Sequence, residues 1–390
     1  MQGRQVTTSE VVDRLADAIQ RQGPVPVSDV VEVALYAPGA GFYETGGAAG
    51  RQHGDFLTSP EVGPLFGAVV ARALDTWWQG MGTPDPFLVV EAGAGTGTLA
   101  QAVLKADPAC AEALRYVLVE RSTPQRRRQG ERVRLEHPSL VLPPVDADTQ
   151  EPVPEAPPGP LCTSLAELPR VPGVRSVVLA NELLDNLPFD LAERRAGAWD
   201  EIRVGLVDPE DRGSGLVEVP VPLDEARSAL LDRLAPDAAD GARVPLQAAA
   251  TEWLRTALAT AGPRGRVVLL DYATGTADLA ARPAGEWLRT YRDHGRGTGY
   301  LDDLGAQDVT CEVAVDQLAL VQAPASDRSQ AEWLRSHGLD DLVDEGRRLW
   351  TERAHVADLA AIAARSRVTE AEALCDPTGL GAFRVLEWTR

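Results

Sequence analysis

Three runs in this 390-residue chain set glycines and carboxylates at spacings that could do chemistry. The first is Glu91-Ala92-Gly93-Ala94-Gly95-Thr96-Gly97, which follows an apolar run at 87–90 and precedes a helix-like segment at 99–104. Glycines at alternate positions let a backbone turn sharply and approach a ligand where a Cβ would clash. Such a turn at the carboxyl edge of a parallel sheet is where nucleotide-like ligands bind. Spacing narrows the ligand. A dinucleotide fingerprint would place its third glycine at position 98, which is Thr98, and a P-loop would need a Gly-Lys-Ser/Thr that this turn lacks. Glu120 closes the next apolar run, about 20 residues beyond the turn, where a carboxylate can accept two hydrogen bonds from a ribose diol. A dehydrogenase would use that position too, so Glu120 points to a ribose without choosing its owner.

The second run is Asn181-Glu182-Leu183-Leu184-Asp185-Asn186-Leu187-Pro188, after an apolar stretch at 174–180. Two carboxylates three residues apart, Glu182 and Asp185, could grip a cation such as guanidinium, whose fork of donors suits carboxylates. Holding that acceptor in line with a reactive group would supply rate by positioning. In the structural alternative, Asn181 caps a helix and Glu182 favours its positive end. The third run, Gly54-Asp55-Phe56-Leu57-Thr58-Ser59-Pro60-Glu61, could close over a ligand as a glycine-aspartate loop, or Thr58 and Glu61 could form only a capping box.

These groups need elements to position them. Val11, Leu15, Ala18 and Ile19 fall at helical spacing closed by Gly23-Pro24, and a second short helix covers 27–35. Val62, Leu65, Phe66, Val69, Val70, Ala73, Leu74 and Trp77 predict one long amphipathic helix starting at Thr58-Ser59-Pro60-Glu61. From Pro86 the pattern becomes strand, turn, helix, strand, with apolar runs at 87–90, 116–119, 174–180 and 266–270. Short apolar strands alternating with helices indicate a doubly wound parallel α/β sheet. Residues 383–388 read as a final edge strand, 143–160 as an exposed loop, and 189–262 as polar strands and two helices inserted between the fourth and fifth core strands. The expected domains are an N-terminal helical cap at 1–84 and a main domain at 85–390.

Composition excludes several classes. Net charge is −20, so nonspecific attraction to nucleic acid or anionic lipid is not expected; Arg126-Arg127-Arg128 is the one tight basic cluster and reads as a solvated helix face. Cys110, Cys162, Cys311 and Cys375 are scattered without a C-x-x-C pair, which suggests neither zinc nor disulfides and fits a reducing, cytoplasmic compartment. The five histidines show no H-x-x-x-H spacing, so no metal site is expected. No apolar stretch is long enough for a membrane span, and the N-terminus lacks the pattern of a targeting peptide. The apolar N-terminal helices could support a homodimer.

The turn E-x-G-x-G-x-G resembles motif I of class I methyltransferases. Further blocks extend the likeness: Ala34-Leu35-Tyr36 with Gly41-Phe42-Tyr43, GDFLTSPEVGPLFG at 54–67, VVEAGAGTGTL at 89–99, VERS at 119–122, ANELLDNLP at 180–188, LLDYA at 269–273, DVTCEV at 308–313 and the closing FRVLEW. Together, in this order, they resemble the MidA-like family, which includes a mitochondrial arginine methyltransferase that assists assembly of respiratory complex I. The resemblance implies an α/β fold with a class I methyltransferase Rossmann-like mixed sheet, an N-terminal helical cap and an inserted substrate region. It implies S-adenosylmethionine as cofactor, with Gly54, Asp55, Glu61, Glu91, Gly93, Gly95, Thr96, Gly97 and Glu120 around it. Asn181, Glu182 and Asp185 would face the acceptor, implied to be an arginine of a protein, with a respiratory-complex subunit as candidate partner. A noncatalytic cofactor-binding assembly factor and a small-molecule methyltransferase are the alternatives. The chain departs from the family at Leu161-Cys162-Thr163-Ser164, where an aromatic-histidine pair is expected, leaving the adenine contact open between Asp146 and Thr163.

Overall fold

The computed structural model describes residues 2–46, 58–142, 157–292, 295–355 and 358–389. The chain divides into two compact units, each assembled from three stretches. One comprises Met1–Phe56, Leu183–Arg255 and Tyr272–Ala323; the other comprises Leu57–Glu182, Thr256–Asp271 and Pro324–Arg390. The expected boundary at 84/85 is therefore not where the units divide.

The second unit is built on seven strands: β1 (Phe87–Ala92), β2 (Leu114–Val119), β3 (Leu161–Leu165), β4 (Ser176–Asn181), β5 (Arg266–Asp271), β6 (Ser326–Ser329) and β7 (Arg384–Thr389). Their order is β6-β7-β5-β4-β1-β2-β3, with β1 to β5 parallel and β7 antiparallel to both its neighbours. Every residue of β1 and β2 is buried, as strands covered on both faces require, which is why their sequences read as continuous apolar runs. β7 is not the edge strand its sequence suggested, because β6 pairs along its outer side. The β6 residues Ser-Asp-Arg-Ser carry no apolar pattern. Backbone pairing holds them, together with ion pairs of Arg384 with Asp327 and of Arg328 with Glu387.

The long helix expected from residue 58 is two helices, Ser59–Val62 and Pro64–Gly80, separated by Gly63. Pro64 lacks an N–H and disfavours helical geometry at the residue before it, so the chain extends there and restarts. Leu65 N–H donates to Glu370 Oε2 (2.8 Å), which fills one of the empty donor positions at the new N-terminus. Helix Pro64–Gly80 then buries Leu65, Phe66, Val69, Val70, Ala73, Leu74 and Trp77 against the sheet face of Phe87, Val89, Tyr116 and Leu118. Each large apolar side chain so buried stabilises the unit by about 1.5–3 kcal/mol.

The first unit contains a five-stranded antiparallel sheet made of Val25–Pro26, Asp190–Arg195, Ala198–Asp208, Asp211–Pro222 and Arg243–Leu246. A smaller antiparallel sheet joins Leu288–Arg292, Gly295–Arg296 and Asp308–Cys311. Helices Gln2–Gln22 and Val27–Tyr36 bury Val11, Leu15, Ile19, Val30, Val31 and Leu35 with Leu191, Ile202, Val204, Trp287 and Val309. The N-terminal helices and the inserted strands thus share one core. The described apolar residues Val11, Leu15, Ile19, Val30, Val31 and Leu35 are buried within that core. Among the described residues, no helix is long and apolar enough to cross a membrane, and no group of three His, Cys, Asp or Glu side chains could hold a metal ion.

Candidate functional site

The parallel strands of the second unit end at one edge, and carboxylates cluster there. Register sets their level: Ala92 of β1 pairs with Val119 of β2 and Ala180 of β4, and Asn181 pairs with Leu270 of β5. Beyond these positions lie the glycine turn, Glu120, Glu182 and Asp271.

The turn is built from left-handed backbone, with φ of 68° at Gly93, 52° at Gly95 and 86° at Gly97, which favours glycine at each. A Cβ on Gly95 would stand 3.2 Å from Gln125 Oε1, and one on Gly97 would stand 3.1 Å from Leu118 Cδ2. Gly95 is held on both sides. Its N–H donates to Glu120 Oε2 (2.9 Å), and its carbonyl accepts from Gln129 Nε2 (2.9 Å). Glu120 Oε1 accepts from Ser122 N–H (2.7 Å). With a weaker contribution from Arg121 N–H, these backbone donors fill part of the roughly four acceptor positions of a carboxylate and leave room for a ribose hydroxyl. Burial raises the Glu120 carboxyl, and the Ser122 and Gly95 N–H groups partly offset this. Thr96 sits half-buried in the same turn.

Glu91 points into the core instead. It is buried, accepts from the Tyr116 hydroxyl (2.8 Å), and is pushed up to about 8 by burial against the opposing hydrogen bonds of Tyr116 and Ala100 N–H. Its contacts make it a brace at the root of the turn. Of the two readings of this run, Glu61 does not form the capping box, because Thr58 makes no side-chain cap. Glu61 Oε1 accepts instead from the Thr98 hydroxyl (2.8 Å), which ties helix Ser59–Val62 to the residue after Gly97.

Glu182 follows β4 with a left-handed φ of 51°. Its N–H donates to Leu270 O (2.8 Å), and its Oε1 accepts from Ser59 N–H (3.1 Å) and Asn181 Nδ2 (2.9 Å). Asn181 therefore caps no helix; it steadies the neighbouring carboxyl. Burial pushes Glu182 up to about 8, against the pull of Ser59 N–H and Asn181 and with a contribution from the nearby Asp271 charge. Asn181 Oδ1 and Glu182 Oε2 are buried and have no hydrogen-bond partner among the described residues. Buried acids of this kind must take up either protons or a cation.

Asp185 belongs to the first unit and lies in the single turn Leu184–Asn186. There, Tyr36 and Tyr43 stack with ring centroids 5.5 Å apart, and the Tyr43 hydroxyl donates to the buried Asp308 carboxylate. Gly54, Asp55 and Asp146 lie outside the described residues. Thr163 is turned to the carbonyl of Glu136, to which its hydroxyl donates (3.0 Å).

The structure thus gathers Glu61, Glu91, Gly93, Gly95, Thr96, Gly97, Glu120, Asn181 and Glu182 in one unit. Gln125, Gln129 and Gln330, whose Oε1 accepts from the Ser59 hydroxyl (2.9 Å), were not picked out by sequence reasoning, nor was the bond of Ser59 N–H to Glu182. Their roles depend on contacts across about 30 to 270 residues, for which the sequence gives no spacing signal.

A family model for S-adenosyl-L-methionine-dependent methyltransferases matches residues 69–331. Among curated proteins, the chain is 33% identical over 204 residues to the mitochondrial protein arginine methyltransferase NDUFAF7 homolog of Drosophila melanogaster, covering 50% of this chain and 45% of that protein. It is 29% identical over 219 residues to protein arginine methyltransferase NDUFAF7 of Danio rerio, covering 52% and 48%. The chain spans about half the length of these relatives. A crystal structure from Burkholderia thailandensis bound to S-adenosyl-homocysteine superposes with a TM-score of 0.78 at 25% identity, covering 99% of this chain and 93% of that one.

Proposed function

The chain belongs to this family of S-adenosyl-L-methionine-dependent methyltransferases, and we propose that it transfers the methyl group of S-adenosylmethionine to an arginine of a protein. The observation that carries the reading is the shared edge of β4, β1 and β2, where Glu182, the left-handed glycine turn and Glu120 stand on adjacent strands. The turn and Glu120 fit an adenosyl ligand. The glycines leave no Cβ to obstruct it, and Glu120 keeps acceptor capacity for the ribose hydroxyls. When bound, the cofactor supplies an electrophilic methyl group on a sulfonium.

Asn181 and Glu182 serve the acceptor. An ionised Glu182 accepts N–H bonds from a guanidinium and fixes the plane of its attacking nitrogen. With its carboxyl pushed to about 8, Glu182 is also basic enough to receive the proton that this nitrogen sheds as the methyl moves from sulfur to nitrogen. The arginine assignment is supported by the names of the curated relatives, and a respiratory-complex subunit as acceptor rests on the MidA-like resemblance alone. A cytoplasmic location is supported by four cysteines that form no disulfide among the described residues.

The test is transfer of label from radioactive S-adenosylmethionine to proteins of a strain lacking this gene, with methylarginine identified by mass spectrometry. Wild type should label protein arginine, whereas Glu182→Gln should bind S-adenosylhomocysteine and label nothing. Label confined to small molecules, or undiminished in Glu182→Gln, would reject the reading.

A further inference from the structure

The glycine turn is fastened by two kinds of bond. Ala94 N–H donates to Val119 O (3.0 Å) and Gly97 N–H to Ala94 O (2.8 Å), so these two residues are held through backbone. Gly95, between them, is met by side chains on both sides: Glu120 Oε2 accepts from its N–H, and Gln129 Nε2 donates to its carbonyl. The two groups belong to the two peptides that flank the Gly95 Cα. Holding both planes fixes φ and ψ at the residue type with the greatest backbone freedom.

Gln129 ends the helix Thr123–Gln129, and the start of that helix is tied to Glu120. Its N-cap, Ser122, gives its N–H to Glu120 Oε1 (2.7 Å), and Arg126 Nη1 donates to the Glu120 carbonyl (2.6 Å). Arg126, read from the sequence as part of a solvated face, therefore braces this end of the sheet. Gln129 is fully buried, and its Cγ lies 3.7 Å from where a Cβ on Gly97 would stand. Its Oε1 is buried with no hydrogen-bond partner among the described residues. An orphaned acceptor is a poor way to stabilise a core, where a methionine of similar length would fill the same space with no amide to desolvate. What the amide supplies is a donor, and that donor goes to the Gly95 carbonyl.

We infer that Gln129 is a positioning residue for the adenosyl cofactor, holding the Gly95 backbone in its left-handed shape before the ligand arrives. A turn left to fluctuate would have to be ordered at the moment of binding, and that cost appears as lost affinity. Gln129 acts through Gly95, so it sets cofactor affinity and leaves the transfer step alone. This role presupposes the adenosyl ligand at the glycine turn, as in the proposed function, and adds a residue to which the sequence attached no chemistry.

The test uses the full chain and two variants. Gln129→Met keeps the length of the side chain and removes the donor, whereas Gln129→Asn keeps an amide and shortens its reach by one methylene. Affinity for S-adenosylhomocysteine is measured by calorimetry, and amide hydrogen exchange of the ligand-free chain is read over residues 93–97. Both variants should weaken binding about tenfold and speed exchange in the turn about tenfold or more, with exchange in β1 and β2 unchanged. In label transfer, the KM for S-adenosylmethionine should rise by the same factor, with kcat within about twofold of wild type. If Gln129→Met does not fold, Gln129→Asn alone must show these changes. Wild-type affinity in either folded variant overturns the inference. So does weakened binding with faster exchange throughout β1 and β2, which would make Gln129 a fold anchor. A wild-type chain that binds no S-adenosylhomocysteine overturns the cofactor placement itself, whereas a binding wild type with unaffected variants overturns this inference alone.

Discussion

Replacing Glu182 by glutamine separates the charge of this residue from its place in the fold. The Oε1 that accepts from Ser59 N–H and Asn181 Nδ2 is retained in the amide, so helix Ser59–Val62 keeps its anchor. Only the ionisable function is lost. In the wild-type chain the carboxyl is pushed up to about 8. About one tenth is therefore ionised at pH 7, about half at pH 8 and about nine tenths at pH 9. When only the ionised form receives a guanidinium, apparent acceptor affinity scales with that fraction. The kcat/KM for acceptor, at saturating cofactor, should then climb about tenfold between pH 7 and pH 9, with a single ionisation near 8. A bound guanidinium favours the carboxylate, so the kcat profile should bend at lower pH than the kcat/KM profile. Glu182→Gln should lack the limb altogether and run about 100-fold or more below wild type. Initial rates of label transfer across this range supply the profiles, and calorimetry with S-adenosylhomocysteine at each pH checks that cofactor binding is retained. A glutamine variant with the wild-type limb would refute the assignment, as would a wild-type profile flat from pH 7 to pH 9.

The buried Glu91 should leave its mark on stability. Its carboxyl in the folded chain titrates near 8, above its ordinary value, so between those values the native state holds a proton that the unfolded chain has released. Stability should fall as pH rises through that window and level off above it, and Glu91→Gln should reduce the slope of melting temperature against pH between about 5 and 8. Gly95→Asp puts a side chain at φ 52°, 3.2 Å from Gln125 Oε1 and beside Glu120; calorimetry should show loss of S-adenosylhomocysteine binding, with secondary structure by circular dichroism unchanged. Gly63→Ala would drive a Cβ to within 2.3 Å of Glu370 Cδ, displacing the carboxylate that accepts from Leu65 N–H. Denaturant titration should show a loss of about 1–3 kcal/mol with little change in cofactor affinity.

The elements that carry the site were legible because they obey local rules. β1 and β2 are continuous apolar runs between turn signals, and the spacing of Gly93, Gly95 and Gly97 follows from the backbone each must adopt. Features set by distant partners were not. β6 has no apolar pattern because its place depends on pairing with β7. The break at Gly63 was hidden by an unbroken helical period, although Pro64 signalled it chemically. Glu61 matched a capping box and instead joins Thr98, and Asn181, for which capping was the alternative reading, steadies Glu182. A short motif shows that a carboxylate is present; its partner is chosen by the tertiary structure. The hydrogen bond of Tyr43 to Asp308 was likewise invisible, because it joins residues 265 positions apart.

The position of β7 bears on how this protein can be made. The strand inserts between β5 and β6, yet it comes from residues 384–389. During synthesis, the outer flank of β5 stays unpaired while more than 100 further residues emerge, and β6 has no strand to lie against. Such an exposed apolar edge is a template for pairing with other chains. A ribosome stalled before residue 384 would thus leave a sticky nascent product, and a tag fused directly after β7 would load the strand on which sheet completion depends. Soluble yield should therefore be sensitive to substitutions within residues 384–389, unlike folds whose interior strands are all made early.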